Sequence, residues 1–217
     1  GIILGYAQLL LEDVEKDGQM YEDVATIAKQ TKLCSKIVVD LLNFSRSSQK
    51  NITKFNINEA IKEVLSMVEH TFSLTHVIVK HEYDKNPLLM QGDKEKLKQV
   101  FINLLNNAFD AIKENGSIFI NSGFGKTQSE IKISISDTGC GISKDNIKKI
   151  FEPFYTTKGP DQGTGLGLSV TFGIIKEHNG TINVYSPPLS GKKEGNGTQF
   201  IVVLPTGLNM KKGELNG

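Results

Sequence analysis

The sequence predicts an α+β protein. An N-terminal antiparallel helical hairpin, dimerising to a four-helix bundle, is followed by an α/β sandwich with a mixed sheet and helices on one face. Three observations carry this. Residues 1–45 hold apolar side chains at alternating three- and four-residue spacing, as in helices packed lengthwise. Past Asn51 the pattern becomes helical segments mixed with strands of period two. Between Asp137 and Leu168, glycines cluster at turns and then open a helix. The expected domains are 1–50, the hairpin; 51–207, the sandwich; and 208–217, a polar tail.

Ile3, Leu4, Ala7, Leu10, Leu11 and Val14 form the stripe of the first helix, which Asp17-Gly18 breaks. Val24, Ile27, Thr31, Cys34, Val38, Leu41 and Ser45 form the stripe of the second. A lone hairpin cannot cover this stripe together with Ile37, Leu42 and Phe44, so the hairpin is expected to pair with a second copy. Ser45–Asn51 reads as a linker, and Lys54-Phe55 begins a short extended piece. Asn58 is the expected cap of a helix running to Phe72, with Ile61, Val64, Leu65 and Val68 on its buried face. Val77–Tyr83 alternates as a strand, and Leu88–Met90 is a shorter one. Asp93 caps a long helix expected to reach about Glu114. Residues 117–124 and 130–136 read as a hairpin, and Ser143 is expected to cap a short helix to Ile150. A last helix spans Leu168–His178, and strands follow at 181–185 and 198–204.

A net charge of +1 carries no broad field for nucleic acid. The two cysteines, Cys34 and Cys140, have neither metal-ligand spacing nor a disulfide framework, which fits a reducing cytoplasm. No apolar run has the length of a membrane span, so a membrane would be reached only through a parent protein.

The chemistry-bearing residues lie in ordered stretches. On the helix after Asp93, Asn103, Asn106, Asn107 and Asp110 fall at i, i+3, i+4 and i+7, opposite an apolar face of Leu97, Phe101, Leu104, Leu105, Ala108 and Ile112. Asparagine is a poor helix former, and a solvated face would favour Lys or Glu. Amide oxygens suit Mg²⁺, and amide N–H groups suit phosphate. Asp137 can accept the exocyclic amine of an adenine, while Gly139 and Gly141 would let the backbone approach the base. Cys140 between them reads as a small filler. Gly163-Thr164-Gly165-Leu166-Gly167-Leu168 lacks the Gly-Lys-Ser/Thr ending of a Walker loop and the preceding strand of a Rossmann fingerprint. It opens a helix, whose N-terminal amides suit phosphate.

Taken in order, the asparagine helix, Asp137-x-Gly-x-Gly141, Phe151-Glu-Pro-Phe-Tyr-Thr-Thr-Lys158, the glycine run and Gly195-Asn-Gly-Thr198 resemble the catalytic ATP-binding domain of two-component sensor histidine kinases. Leu41–Arg46 is similar to the end of that family's second dimerisation helix, and Gly1–Leu11 to the helix just after its phosphoacceptor box. The resemblance implies ATP and Mg²⁺ as cofactors, a homodimer through the hairpin, and a response-regulator receiver domain as partner. It implies Asn107 as the metal ligand, Asn103 beside the phosphates and Asp137 on the adenine amine. Gly139, Gly141, Ile142 and Thr198 would line the base pocket. Lys158 and Gly163, Thr164, Gly165, Leu166, Gly167 and Leu168 would contact the triphosphate, with Phe151 and Phe154 anchoring that lid. Asp110 matches the end of the asparagine motif. Asn103 and Lys158 are the expected catalytic groups.

Two departures bear on the activity. The resemblance places the phosphoacceptor histidine before Gly1, so the chain as given is not expected to phosphorylate itself. His70, His76, His81 and His178 stand in no matching context and read as structural. The segment 159–162 is short and has no arginine, which leaves phosphate charge to Lys158 and Mg²⁺. The competing reading is a conformational ATPase of the topoisomerase, mismatch-repair or chaperone type. Those relatives place a water-activating glutamate where Asn103 stands, and an amide cannot act as that base. A third reading is a module that binds ATP and dimerises without chemistry.

Overall fold

The computed structural model describes residues 1–45, 51–73, 76–112, 115–159, 163–189 and 197–207. The polar linker at 46–50, the middle of the 187–197 loop and the tail from 208 lie outside the described residues, as do the side chains of Ile37, Leu41, Leu42, Phe44, Ser45, His70 and Phe72. The chain divides into two compact units: Gly1–Gln49 with Glu152–Ser169, and Lys50–Phe151 with Val170–Gly217.

The first unit contains the helices α1 (Ile2–Asp13) and α2 (Gln19–Ser45). Ala7, Val24 and Ala28 are buried between them, with Leu4 and Leu11 partly buried alongside. The expected stripes are thereby split. Ile3, Leu10, Ile27, Cys34 and Val38 stay exposed, and Ala28 rather than Ile27 takes the inner position. Small alanines let the two backbones approach, and Val24 and Ala28, four apart, keep one face on α1. Ile2, Tyr6, Leu9 and Met20 add to the exposed apolar surface.

The second unit is built on a five-stranded sheet of order β2-β4-β5-β7-β6. Its strands are β2 (Val77–Tyr83), β4 (Gly116–Phe124), β5 (Glu130–Asp137), β6 (Thr181–Tyr185) and β7 (Gln199–Pro205). β2 and β4 run parallel and the other neighbours antiparallel, which makes the sheet mixed as expected. Register sets Ile120 opposite Ile135, Ile135 opposite Phe200, and Ile133 opposite Val202, so alternate residues supply one apolar face. The helices α3 (Ile57–Ser73) and α4 (Lys94–Ala111) bring Ile57, Ile61, Val64, Leu97, Val100, Phe101, Leu104 and Leu105 to the core, all essentially inaccessible. Each such side chain contributes about 1.5–3 kcal/mol. The helix α6 (Gly167–Glu177) adds Val170, Ile174 and Ile175. Lys94 and Lys98 both reach Glu63 (2.7 and 3.3 Å), a solvent-screened tie between α3 and α4.

Several boundaries differ from expectation for identifiable reasons. The extended pieces β1 (Ile52–Asn56) and β3 (Leu89–Asp93) pair with each other as a separate two-stranded ribbon. α3 therefore begins where β1 ends, and Asn56, not Asn58, supplies the cap, accepting from the Asn58 N–H at 3.1 Å. The Asn58 side chain is buried and accepts from Ser122 Oγ at 2.6 Å instead. α4 stops at Ala111 because the Cys140 N–H takes the Ala111 carbonyl (3.1 Å) and Ile112 turns to an extended conformation. The short helix α5 (Lys144–Ile147) starts after Ser143, whose side chain makes no capping bond, and it ends before Ile150.

Asp93 does cap α4, accepting from the Lys96 N–H at 3.2 Å. Asp93→Ala is expected to lower unfolding free energy by about 1 kcal/mol. Urea denaturation should show an earlier midpoint with an unchanged slope; an unchanged midpoint would mean the cap contributes nothing.

Candidate nucleotide site

Asp137 ends β5 and is only 5% exposed, an expensive position for a carboxylate. Burial pushes its pKa up to about 6, against two hydrogen bonds that act the other way. Those bonds converge on one oxygen: the Gly139 and Thr198 N–H groups both donate to Oδ1, at 2.8 and 3.2 Å. The Asp137 N–H donates to the Thr198 carbonyl at 2.8 Å, which ties the end of β5 to the residue before β7. No hydrogen bond to Oδ2 is made among the described residues. The carboxylate is thus held in one orientation by backbone, with one oxygen uncommitted.

The loop after Asp137 packs on the C-terminus of α4. A Cβ at Gly139 would lie 2.6 Å from the Ala111 carbonyl carbon, so glycine is required there by the helix, whatever ligand approaches. Gly141 takes a left-handed φ of 76°. Cys140 is exposed, not the filler expected, because its backbone rather than its side chain makes the packing contact. Ile142 follows, half-buried. Gly197 meets the Asp137 carbonyl so closely that no side chain fits.

Asn107 lies one helical turn before Ala111, hence on the side of α4 that reaches this loop. Its side chain is half-buried and has no hydrogen-bond partner among the described residues. Asn103, a further turn back, donates from Nδ2 to Oγ1 of the fully buried Thr171 on α6, at 3.4 Å. Asn106 and Asp110 are exposed, so the expected polar stripe divides into a half-buried pair and a solvated pair.

Of the remaining expected residues, Phe151 belongs to the second unit, and Phe154, Lys158 and Gly163–Leu168 to the first. There Gly165 has φ 68°, and a side chain on it would overlap the Phe154 backbone. The Leu166 N–H reaches Thr164 Oγ1 at 3.4 Å, Ser169 Oγ donates to the Leu166 carbonyl at 2.9 Å, and Gly167 begins α6. The Lys158 N–H donates to Thr156 Oγ1 at 3.1 Å. In the second unit Phe151 packs on Phe172 with ring centres 5.4 Å apart. Phe154 is 63% exposed with φ 65°, so its backbone, not its ring, is the contact with Gly165.

The histidines with described side chains are not placed as acceptors. His178 Nε2 accepts from the Asp93 N–H at 3.0 Å, and Nδ1 then donates to the Ile174 carbonyl at 2.8 Å. His81 stacks on Tyr83 at 4.7 Å, and His76 is exposed. Sequence reasoning did not single out Ser186, which bonds both to the Ile142 N–H and to the Gly197 carbonyl (2.8 Å each), nor Thr171. No local pattern marks either one.

The chain thus has a mixed sheet backed by helices, with an oriented buried carboxylate near the end of an asparagine-bearing helix. The chain belongs to the histidine kinase-, DNA gyrase B-, and HSP90-like ATPase family, whose model matches residues 92–208. Within that family its relatives include histidine kinases. It is 36% identical over 203 residues to the signal transduction histidine-protein kinase AtoS of Escherichia coli (strain K12), covering 94% of this chain and 32% of AtoS. The catalytic domain of histidine kinase ThkA is 36% identical with a TM-score of 0.62, covering 72% of this chain and 98% of that domain. ThkA in complex with the response regulator protein TrrA is matched at 30% identity and a TM-score of 0.71, over 94% of this chain and 57% of that one. The chain spans less than half the length of the curated relatives it matches, from 27% to 45% of those compared. With such relatives the topoisomerase, mismatch-repair or chaperone reading is not favoured. Among the described residues no helix is long and apolar enough to cross a membrane.

Proposed function

We propose that the chain is the ATP-binding catalytic part of a sensor histidine kinase. The parent protein transfers the γ-phosphoryl of ATP to one of its own histidines, for relay to an aspartate on a response-regulator receiver domain. The observation that carries this is Asp137, buried, oriented through Oδ1 by two backbone donors, with Oδ2 left to accept the adenine amine. Gly139, Gly141, Ile142 and Thr198 line the base site. Asn107 offers an unpartnered amide oxygen to Mg²⁺. Asn103, steadied by Thr171, stands beside the phosphates. Lys158 and the run Gly163–Leu168 are assigned to the phosphates by the chemistry of a lysine and of a glycine turn opening a helix. Asp110 is exposed and belongs at the margin of this set.

Phosphoryl transfer depends on positioning and charge neutralisation more than on covalent help from the enzyme. Asn107 would hold Mg²⁺, which when bound would supply positive charge to neutralise the triphosphate. The chain's residues hold the base, orient the triphosphate and keep the metal's amide ligand in place. The acceptor histidine is the nucleophile. Chain boundaries at 1–50, 51–207 and 208–217 remain the proposed domains. The exposed Ile2, Ile3, Tyr6, Leu9, Leu10 and Ile27 suit burial against a second hairpin, giving a homodimer. Free Cys34 and Cys140 and the need for ATP fit a cytoplasmic setting.

Incubation with γ-labelled ATP, alone and with a longer chain bearing the upstream histidine, tests the reading. Acid-labile label on the longer chain is expected. Free phosphate with no labelled protein would support an ATPase instead.

A further inference from the structure

We infer that Ser186 is the positioning residue for the base: its single hydroxyl sets the spacing between the two backbone walls that hold Asp137. The inference rests on Asp137 being the adenine site. Ser186 follows β6 directly, yet it bonds to both walls. The Ile142 N–H, at the far end of the glycine loop, donates to Ser186 Oγ at 2.8 Å. Ser186 Oγ donates its own proton to the Gly197 carbonyl at 2.8 Å. A hydroxyl has one proton, so the amide fixes it as acceptor on one side and the carbonyl fixes it as donor on the other.

The two segments it joins are the ones that orient Asp137. One holds Gly139, whose N–H donates to Asp137 Oδ1. The other holds Gly197, in contact with the Asp137 carbonyl, and Thr198, whose N–H donates to the same Oδ1. Asp137 therefore joins the walls at one end of the loop, and Ser186 joins them at the other through Ile142. Without the hydroxyl, Ile142 and Gly197 lose their shared reference and the base loses a fixed width. The carboxylate keeps its own two hydrogen bonds. The consequence falls on fit to the base, not on phosphate charge.

The experiment compares ATP with inosine triphosphate, which carries a carbonyl where ATP has its amine, by calorimetry in Mg²⁺. Ser186→Ala is expected to bind ATP about tenfold more weakly, the effect of two neutral hydrogen bonds. Inosine triphosphate, which gains little from the base site, should bind as it does to wild type, so the ratio between the nucleotides falls. Ser186→Thr, which keeps the hydroxyl, should restore the ratio. An unchanged ATP affinity in Ser186→Ala, an equal loss for both nucleotides, or no rescue by Thr would overturn the inference. If the Ala variant does not fold, Ser186→Cys, with a longer and weaker donor, carries the same comparison: a partial loss of the ratio supports the inference and a wild-type ratio overturns it. Asp137→Asn serves as the control. If that variant binds ATP normally, the adenine assignment fails; if it loses ATP while Ser186→Ala does not, only the role of Ser186 fails.

Discussion

Asp137→Asn should weaken ATP binding by about a hundredfold and improve binding of inosine triphosphate. The asparagine Oδ1 can keep both backbone donors, so Nδ2 then stands where Oδ2 stood. An NH₂ group faces the adenine amine donor to donor. One charge-assisted bond is lost and two donors are left unpaired, about 3 kcal/mol together. The carbonyl of inosine triphosphate meets the same NH₂ as an acceptor, which inverts the preference. Calorimetry reads both affinities; an unchanged order would remove Asp137 from the base site. Stability should move the other way. In the folded chain the Asp137 proton is held up to about pH 6, against an ordinary value of 3.8. Its contribution is thus most favourable below about pH 4 and is lost as pH rises to about 6. Above that the wild type bears a cost on the order of 2–3 kcal/mol that asparagine avoids. Denaturation of the nucleotide-free proteins should show the variant gaining on wild type across that window, and a constant gap would contradict the assignment.

Asn107→Ala should abolish the increase in ATP affinity produced by Mg²⁺, a loss of about tenfold or more in the presence of the metal. In chelator the two proteins should bind ATP alike. The fold should not suffer, because the Asn107 side chain has no hydrogen-bond partner among the described residues and alanine is the better helix former by several tenths of a kcal/mol. A variant that is at least as stable yet indifferent to Mg²⁺ separates ligation from structure. Retained Mg²⁺ dependence would rule out Asn107 as the ligand.

Local periodicity made the hairpin, the apolar face of α4 and the strands legible, since side-chain direction follows from spacing alone. Asp93 could be read as a cap because one candidate preceded the helix. Asn58 alone was expected to cap α3. The pairing of β1 with β3, remote in sequence, runs to Asn56 and gives that residue the role instead. The end of α4 was set by Cys140 taking a carbonyl from a loop 29 residues later. In the site, Asp137 and the glycine pattern were visible because carboxylate and glycine have few uses in such a turn. The reason for each glycine was not: Gly139 answers to Ala111, Gly165 to Phe154 and Gly197 to Asp137, all through contacts no spacing reports. Ser186 lies 44 residues from Ile142 and looks like any serine before a proline.

We propose a single adenine-selective nucleotide site built around Asp137. Its most direct test is calorimetric titration of ATP and of inosine triphosphate into the wild-type chain in Mg²⁺ at about pH 8. The expected result is one ATP per chain, with inosine triphosphate at least about tenfold weaker. No ATP binding, or equal binding of the two nucleotides, would remove Asp137 as an adenine-selecting group.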